Sequence, residues 1–228
     1  MSKRPFTPLL VFDWDGTLMD SQARIVTSFQ AAIADLNMEK RSVAQIRHLI
    51  GLGAETVITT LFPGASEQQC VQLIKRYRHH FFNAHLPTPL FPGVTETVQT
   101  LHNAGYWLAV ATGKSRKGLN EALVESHLSA LFHTTRCGEE TSDKPNPHML
   151  QDIMDELGIL PSETLMIGDT EYDLQMAKNA GVASVAVSYG MHDKTTLLTY
   201  NPLICIDNLP ALSTWLQADT EPTETIGN

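Results

Sequence analysis

The chain has 228 residues, of which 43% are hydrophobic and 18% charged, enough for a core that needs no disulfide support. Sixteen basic against 25 acidic residues give a formal charge of −9, which disfavours a nucleic-acid partner. Three scattered cysteines, Cys70, Cys137 and Cys205, contain no CxxC pair, so reduced thiols in a cytoplasmic protein are expected and a thiolate metal site is not.

Lys3 and Arg4 precede the apolar run Leu9 to Phe12, but that run is too short for an export signal or a membrane span and stops at Asp13 and Asp15. It reads instead as a strand buried on both faces whose C-terminal end meets a polar site. Asp13-Trp14-Asp15-Gly16-Thr17 follows. Two carboxylates at this spacing share one pocket if the backbone turns at Gly16, which allows one to act as nucleophile and the other as acid and base. A calcium loop is ruled out, because its register puts Leu18 where glycine is needed and Arg24 where glutamate is needed. Taken alone, the segment fits equally a solvated turn.

From Ser21 to Leu86 no strand pattern occurs. Ile25, Phe29, Ile33 and Leu36 form one helical stripe, and Cys70, Ile74, Tyr77 and Phe81 another, the latter begun by the capping pair Ser66 and Gln69. Ser42 to Ile50 and Ala54 to Phe62 read as shorter helices, closed by Gly51 and Pro63-Gly64. Lys75 to His80, the basic cluster of the chain, is expected to be a solvated helix face. Pro87, Pro89 and Pro92-Gly93 then make a stiff return.

Beyond this insert strands and helices alternate, with apolar runs at Trp107 to Ala111, Leu165 to Ile167 and Ala183 to Val187. The pattern predicts βαβ units, an α/β fold with a Rossmann-like parallel sheet flanked by helices and an all-helical cap inserted after the first strand. Residues 1–19 and 88–217 are assigned to the core, 20–87 to the cap and 218–228 to a frayed tail.

Each later strand end carries a polar group. Thr112-Gly113-Lys114-Ser115 is no P-loop, since Leu108 stands where the first glycine is required, yet Thr112 and the amides near Gly113 can hold one phosphate. Lys144 is stiffened by Pro145, with Asn146-Pro147 starting the next helix. Asp169, with Asp173 four residues on, offers hard oxygen ligands suited to magnesium, although Asp173 alone fits simple helix-dipole compensation. Delivered to one edge of a parallel sheet, these groups form a phosphoryl-transfer constellation.

Phe12 to Leu18, Ala111-Thr112-Gly113, Lys144-Pro145 and Gly168-Asp169-Thr170 through Asp173 together resemble the four ordered motifs of the haloacid dehalogenase superfamily, over Leu9 to about Leu216. The helical insert is similar to that of its phosphoglycolate-phosphatase-like group. Asp15 resembles the phosphatases and phosphomutases, not the dehalogenases or phosphonate-cleaving members.

The resemblance implies a magnesium-dependent hydrolase of a small phosphate ester, a monomer or homodimer without membrane attachment. It implies Asp13 as nucleophile and Asp15 as acid and base, with Thr112, Gly113 and Lys144 on the phosphate. The metal is expected at Asp13, the main-chain carbonyl of Asp15, Asp169 and Asp173, the last directly or through another ligand. The turn Arg47 to Gly53 falls where a substrate-facing loop is expected, so Arg47 is a candidate substrate-binding residue. The alternatives are an intramolecular sugar phosphomutase and a regulatory protein with a vestigial site.

Overall fold

A computed structural model describes residues 8–84 and 86–218; the predicted tail beyond residue 218 lies outside them. In chain order the elements are β1 (Leu9–Phe12), α1 (Gln22–Asp35), α2 (Val43–His48), α3 (Ala54–Leu61), α4 (Glu67–Asn83), α5 (Val94–Asn103), β2 (Trp107–Thr112) and α6 (Arg116–Glu125). There follow β3 (Thr134–Cys137), α7 (His148–Leu157), β4 (Thr164–Gly168), α8 (Glu171–Asn179), β5 (Ala183–Val187), α9 (Lys194–Leu198), β6 (Ile204–Ile206) and α10 (Pro210–Ala218).

The six strands form one sheet in the order β3-β2-β1-β4-β5-β6, with every pairing parallel. Two of them are additions to the four predicted strands: β3, which carries no continuous apolar run, and β6, a strand of three residues. Side chains alternate across β1: Leu10 and Phe12 enter a cluster with Val94, Val98 and Leu212 from α5 and α10, whereas Leu9 and Val11 pack with Met149, Ile153 and Met176 from α7 and α8. Helices therefore cover both faces, as a buried parallel sheet requires. The chain runs outward from β1 through β2 to β3 and then crosses back to β4, so the order reverses beside β1. Ligands of such sheets bind at the C-terminal strand ends next to that reversal.

Helices α1 to α4 all lie between β1 and β2, as the absence of a strand pattern there predicts. Their apolar stripes, including Ile25, Phe29, Ile46, Ile58, Leu73 and Phe81, form a separate cluster that takes in Met191 from the loop after β5. Ser42 with Gln45 and Ser66 with Gln69 close full capping boxes. The two ends of the insert meet, because Asp20 N–H donates to the Pro89 carbonyl at 2.8 Å and Met19 bridges Leu90. No helix among the described residues is long and apolar enough to cross a membrane.

Candidate active site

β1 ends at Phe12, so the next residue, Asp13, is carried out of the sheet at its C-terminal edge; its amide still donates to Ile167 of β4. Gly16 has φ +98°, which only glycine adopts without strain, and this turn folds Asp15 back toward the same edge. Any Cβ at Gly16 would collide with the Asp169 carboxylate, so the turn packs directly on the end of β4.

Asp13 is fully buried. Its Oδ1 lies 2.5 Å from Lys144 Nζ, whereas its Oδ2 has no hydrogen-bond partner. Burial drives the Asp13 carboxyl well above the usual range; Lys144 opposes this, and Asp173 and Asp169 reinforce it. Lys144 is itself buried and also meets Asp173 Oδ1 at 2.7 Å. Burial disfavours its charge, but Asp13 and Asp173 more than reverse that and hold the ammonium above the usual lysine range.

Asp173 serves two neighbours. Oδ2 accepts the Thr170 amide at 3.0 Å and its hydroxyl at 2.7 Å, completing the N-terminal cap of α8, while Oδ1 faces Lys144. Helix capping and the ionic cluster thus share one carboxylate. Asp169 accepts the Thr17 hydroxyl and the Met191 amide, both at 2.8 Å. Burial, then Asp173, pushes its carboxyl up to about 7 against those two donors.

Ligand oxygens of Asp13, Asp169 and Asp173 all lie within 4.8 Å of one another. An all-carboxylate set with one orphaned buried oxygen on Asp13 fits a hard divalent cation such as magnesium. Among the described residues His48, Glu171 and His192 form a second such group. There the His192 ring nitrogens are already engaged, Nδ1 by the Glu171 amide at 3.1 Å and Nε2 by the His48 carbonyl at 2.8 Å.

Above the carboxylates lies a cleft of about 260 Å³, walled on one side by Asp13, Asp15 and the Thr112 to Ser115 turn and on the other by α1, α4 and the segment from Ile50 to Val57. Thr112 and Gly113 reach it as expected. A Cβ at Gly113 would run into the backbone of Gly51 and Leu52, so glycine here lets the two walls touch. Asp143 joins them again, accepting the Gly53 amide at 2.7 Å and the Lys144 amide at 3.0 Å. The helix after Lys144 begins at His148, whose amide is capped by Asn146 Oδ1.

Two expectations need correction. Arg47 does not line this cleft: α2 turns its guanidinium the other way, and Nη2 donates to the Gly190 carbonyl at 3.0 Å. The basic cluster on α4 is a solvated face that also reaches the site: Arg78, half-exposed, lines the cleft beside Tyr77, which belongs to the buried stripe as predicted. The structure also adds Lys114, whose Nζ meets both Asp15 oxygens at 2.9 and 3.1 Å and lies 4.8 Å from the centre of the Phe81 ring. Its sequence signal was the Gly113-Lys114-Ser115 run, which the missing P-loop glycine set aside.

Residues 10–187 match the family model of the haloacid dehalogenase-like hydrolases. The chain belongs to this family. It is 34% identical over 205 residues to the protein named probable phosphatase IndB of Dickeya dadantii, covering 88% of this chain and 89% of that one. It is 30% identical over 213 residues to the phosphoglycolate phosphatase of Aliivibrio fischeri, covering 90% and 94%. The crystal structure of a haloacid dehalogenase-like hydrolase from Bacteroides fragilis superposes with a TM-score of 0.85 at 27% identity, over 91% of this chain and 100% of that one.

Proposed function

We propose that this hydrolase is a cytoplasmic, magnesium-dependent phosphatase acting on a small phosphorylated metabolite through a phosphoaspartyl intermediate, with residues 20–87 as a cap over a core made of 1–19 and 88–217. The observation that carries the reading is Asp13: a buried carboxylate with one oxygen paired to Lys144 and the other unpartnered, at the floor of a cleft between core and helical insert. The phosphatase names of the relatives support hydrolysis over phosphoryl return to a sugar.

In this reading an Asp13 oxygen attacks phosphorus as the ester P–O bond breaks, and Asp15 gives its proton to the departing alkoxide. Asp15, now ionised, takes a proton from the water that attacks the acyl phosphate, which releases inorganic phosphate and restores Asp13. Thr112, the Gly113 amide and Lys144 hold the non-bridging oxygens, whose charge must be neutralised throughout. Asp13, Asp169, Asp173 and the Asp15 main-chain carbonyl would hold magnesium, which supplies positive charge between the carboxylates and the phosphate.

The test is phosphate release from a panel of phosphorylated metabolites with magnesium, repeated in excess EDTA and with Asp13→Asn. The expected result is turnover that both changes abolish while circular dichroism of the variant stays native. Turnover by Asp13→Asn within tenfold of wild type would remove Asp13 as nucleophile, and full activity in EDTA would remove the metal.

A further inference from the structure

The cleft walls set limits on the leaving group. The wall formed by the insert carries an aromatic group: Phe29 and Tyr77 stack with ring centres 4.0 Å apart and planes 18° apart, and Tyr77 lies 5.8 Å from Phe81. Ile25 and Val57 extend this surface. Tyr77 is clamped by these rings, and its hydroxyl makes no hydrogen bond to any described residue. It is a polar group set among the apolar side chains Ile25, Phe29, Val57 and Phe81.

Charge in the cleft is one-sided. Besides Asp13 and Asp15, it is lined by Glu55, Glu139 and Asp143. Two cations line it: Lys114, held on Asp15, and Arg78, in a half-exposed pair with Glu139 at 3.4 Å. Lys144, beneath, is held by Asp13 and Asp173. A phosphoryl group on Asp13 has Lys144 to meet it. A carboxylate farther along the substrate enters a cleft whose acids outnumber its cations, with Glu55 unpaired among the described residues, beside an apolar surface where an unpaired charge is costly.

Resting on the phosphatase reading, we propose that the cleft selects phosphomonoesters whose leaving group is short, uncharged and able to lay an apolar or aromatic face on Tyr77, which makes Tyr77 a specificity-determining residue. Discrimination here comes from repulsion of the wrong ester as much as from attraction of the right one. This departs from the acidic substrate in the name of the phosphoglycolate phosphatase relatives.

Matched esters differing in one charge test it with the wild-type enzyme and magnesium: phenyl phosphate against 4-carboxyphenyl phosphate, and 2-hydroxyethyl phosphate against 2-phosphoglycolate. The uncharged member of each pair should have kcat/KM at least tenfold higher, chiefly through KM, because the repulsion acts in the bound and transition states alike. Glu55→Gln should narrow both gaps. Tyr77→Ala should raise KM for phenyl phosphate by roughly tenfold, and Tyr77→Phe should restore the stacking part of that loss. Equal or better use of the carboxylated member in both pairs would overturn the inference and leave the phosphatase reading standing. No turnover of any of the four esters by an enzyme that hydrolyses the metabolite panel would overturn the inference alone, and no turnover of either set would overturn the phosphatase reading with it.

Discussion

Lys144 and Asp13 stand 131 residues apart in the sequence and meet at 2.5 Å with neither side chain open to solvent. The ammonium also separates Asp13 from Asp173, so it is the counter-charge for two buried carboxylates at once. Lys144→Met keeps the bulk and removes the charge. It should lower kcat by roughly 10²–10³-fold and, by stranding buried carboxylates, destabilise the metal-free protein by about 3–5 kcal/mol. Steady-state kinetics and urea denaturation in EDTA read the two effects separately, and unchanged stability would contradict the pairing.

Asp15 lines the same cleft as Asp13, with Lys114 on both of its oxygens. Asp15→Asn should trap phosphate on the enzyme, since an activated aryl ester needs no acid to leave but the water still needs a base. Turnover of such an ester should fall by roughly 10²–10⁴-fold. Intact-mass spectrometry after rapid mixing should find one phosphoryl group per chain, and wild-type turnover with no adduct would exclude Asp15 as the base.

Arg47 ties α2 to Gly190, whose neighbour Met191 gives its amide to Asp169. The geometry makes Arg47 a brace between the insert and the carboxylate cluster, outside the substrate's reach. Arg47→Ala should therefore lower kcat/KM by the same factor for charged and uncharged aryl phosphates. A loss confined to the carboxylated ester would mean that the arginine swings into the cleft and reads the substrate.

Acid sensitivity should have a component at the edge of the sheet. Glu140 accepts Arg116 at 2.7 and 2.6 Å and the Cys137 amide at 2.9 Å, with the Arg116 hydrogen bonds the main cause of its lowered carboxyl pKa. A depressed carboxylate binds protons more weakly folded than unfolded, so its stabilisation is present above the ordinary glutamate range and is lost as pH falls through the folded value. The pair is partly exposed, which limits the effect to about 1 kcal/mol or less. Glu140→Gln should lower stability at pH 7 and leave it nearly unchanged below the glutamate range, as measured by urea midpoints at both.

What the sequence made legible follows from what is local. β1, β2, β4 and β5 are buried on both faces and announce themselves as apolar runs, and the polar residues at the ends of three of them, Asp13, Thr112 and Asp169, are site candidates because a parallel sheet sends every strand end to one edge. β3 reads Thr134-Thr135-Arg136-Cys137; it is an edge strand whose Arg136 turns to Glu156 at 2.6 Å, so its polarity hid it. β6 is three residues long and shows too little pattern. The helical spacing announces Tyr77 as part of the insert's buried stripe, but its place in the cleft wall and the pairing of Lys114 with Asp15 are tertiary approaches with no spacing signature. Arg47 shows the reverse case: the turn was located, but the phase of a six-residue helix decided which way its side chain points.

The meeting of Met19 with Leu90 and of Asp20 with Pro89 reaches beyond the present molecule. A segment that leaves and rejoins the sheet through a doorway one hydrogen bond wide imposes almost no span on its own length, and loop closure grows only slowly with added residues. The four helices behind that doorway can change length without altering the span between β1 and β2, provided the ties of Gly53 to Asp143 and of Arg47 to Gly190 are kept. Inheritance could then act on the two parts of the enzyme at different rates, holding the carboxylates fixed while what stands over them is rewritten.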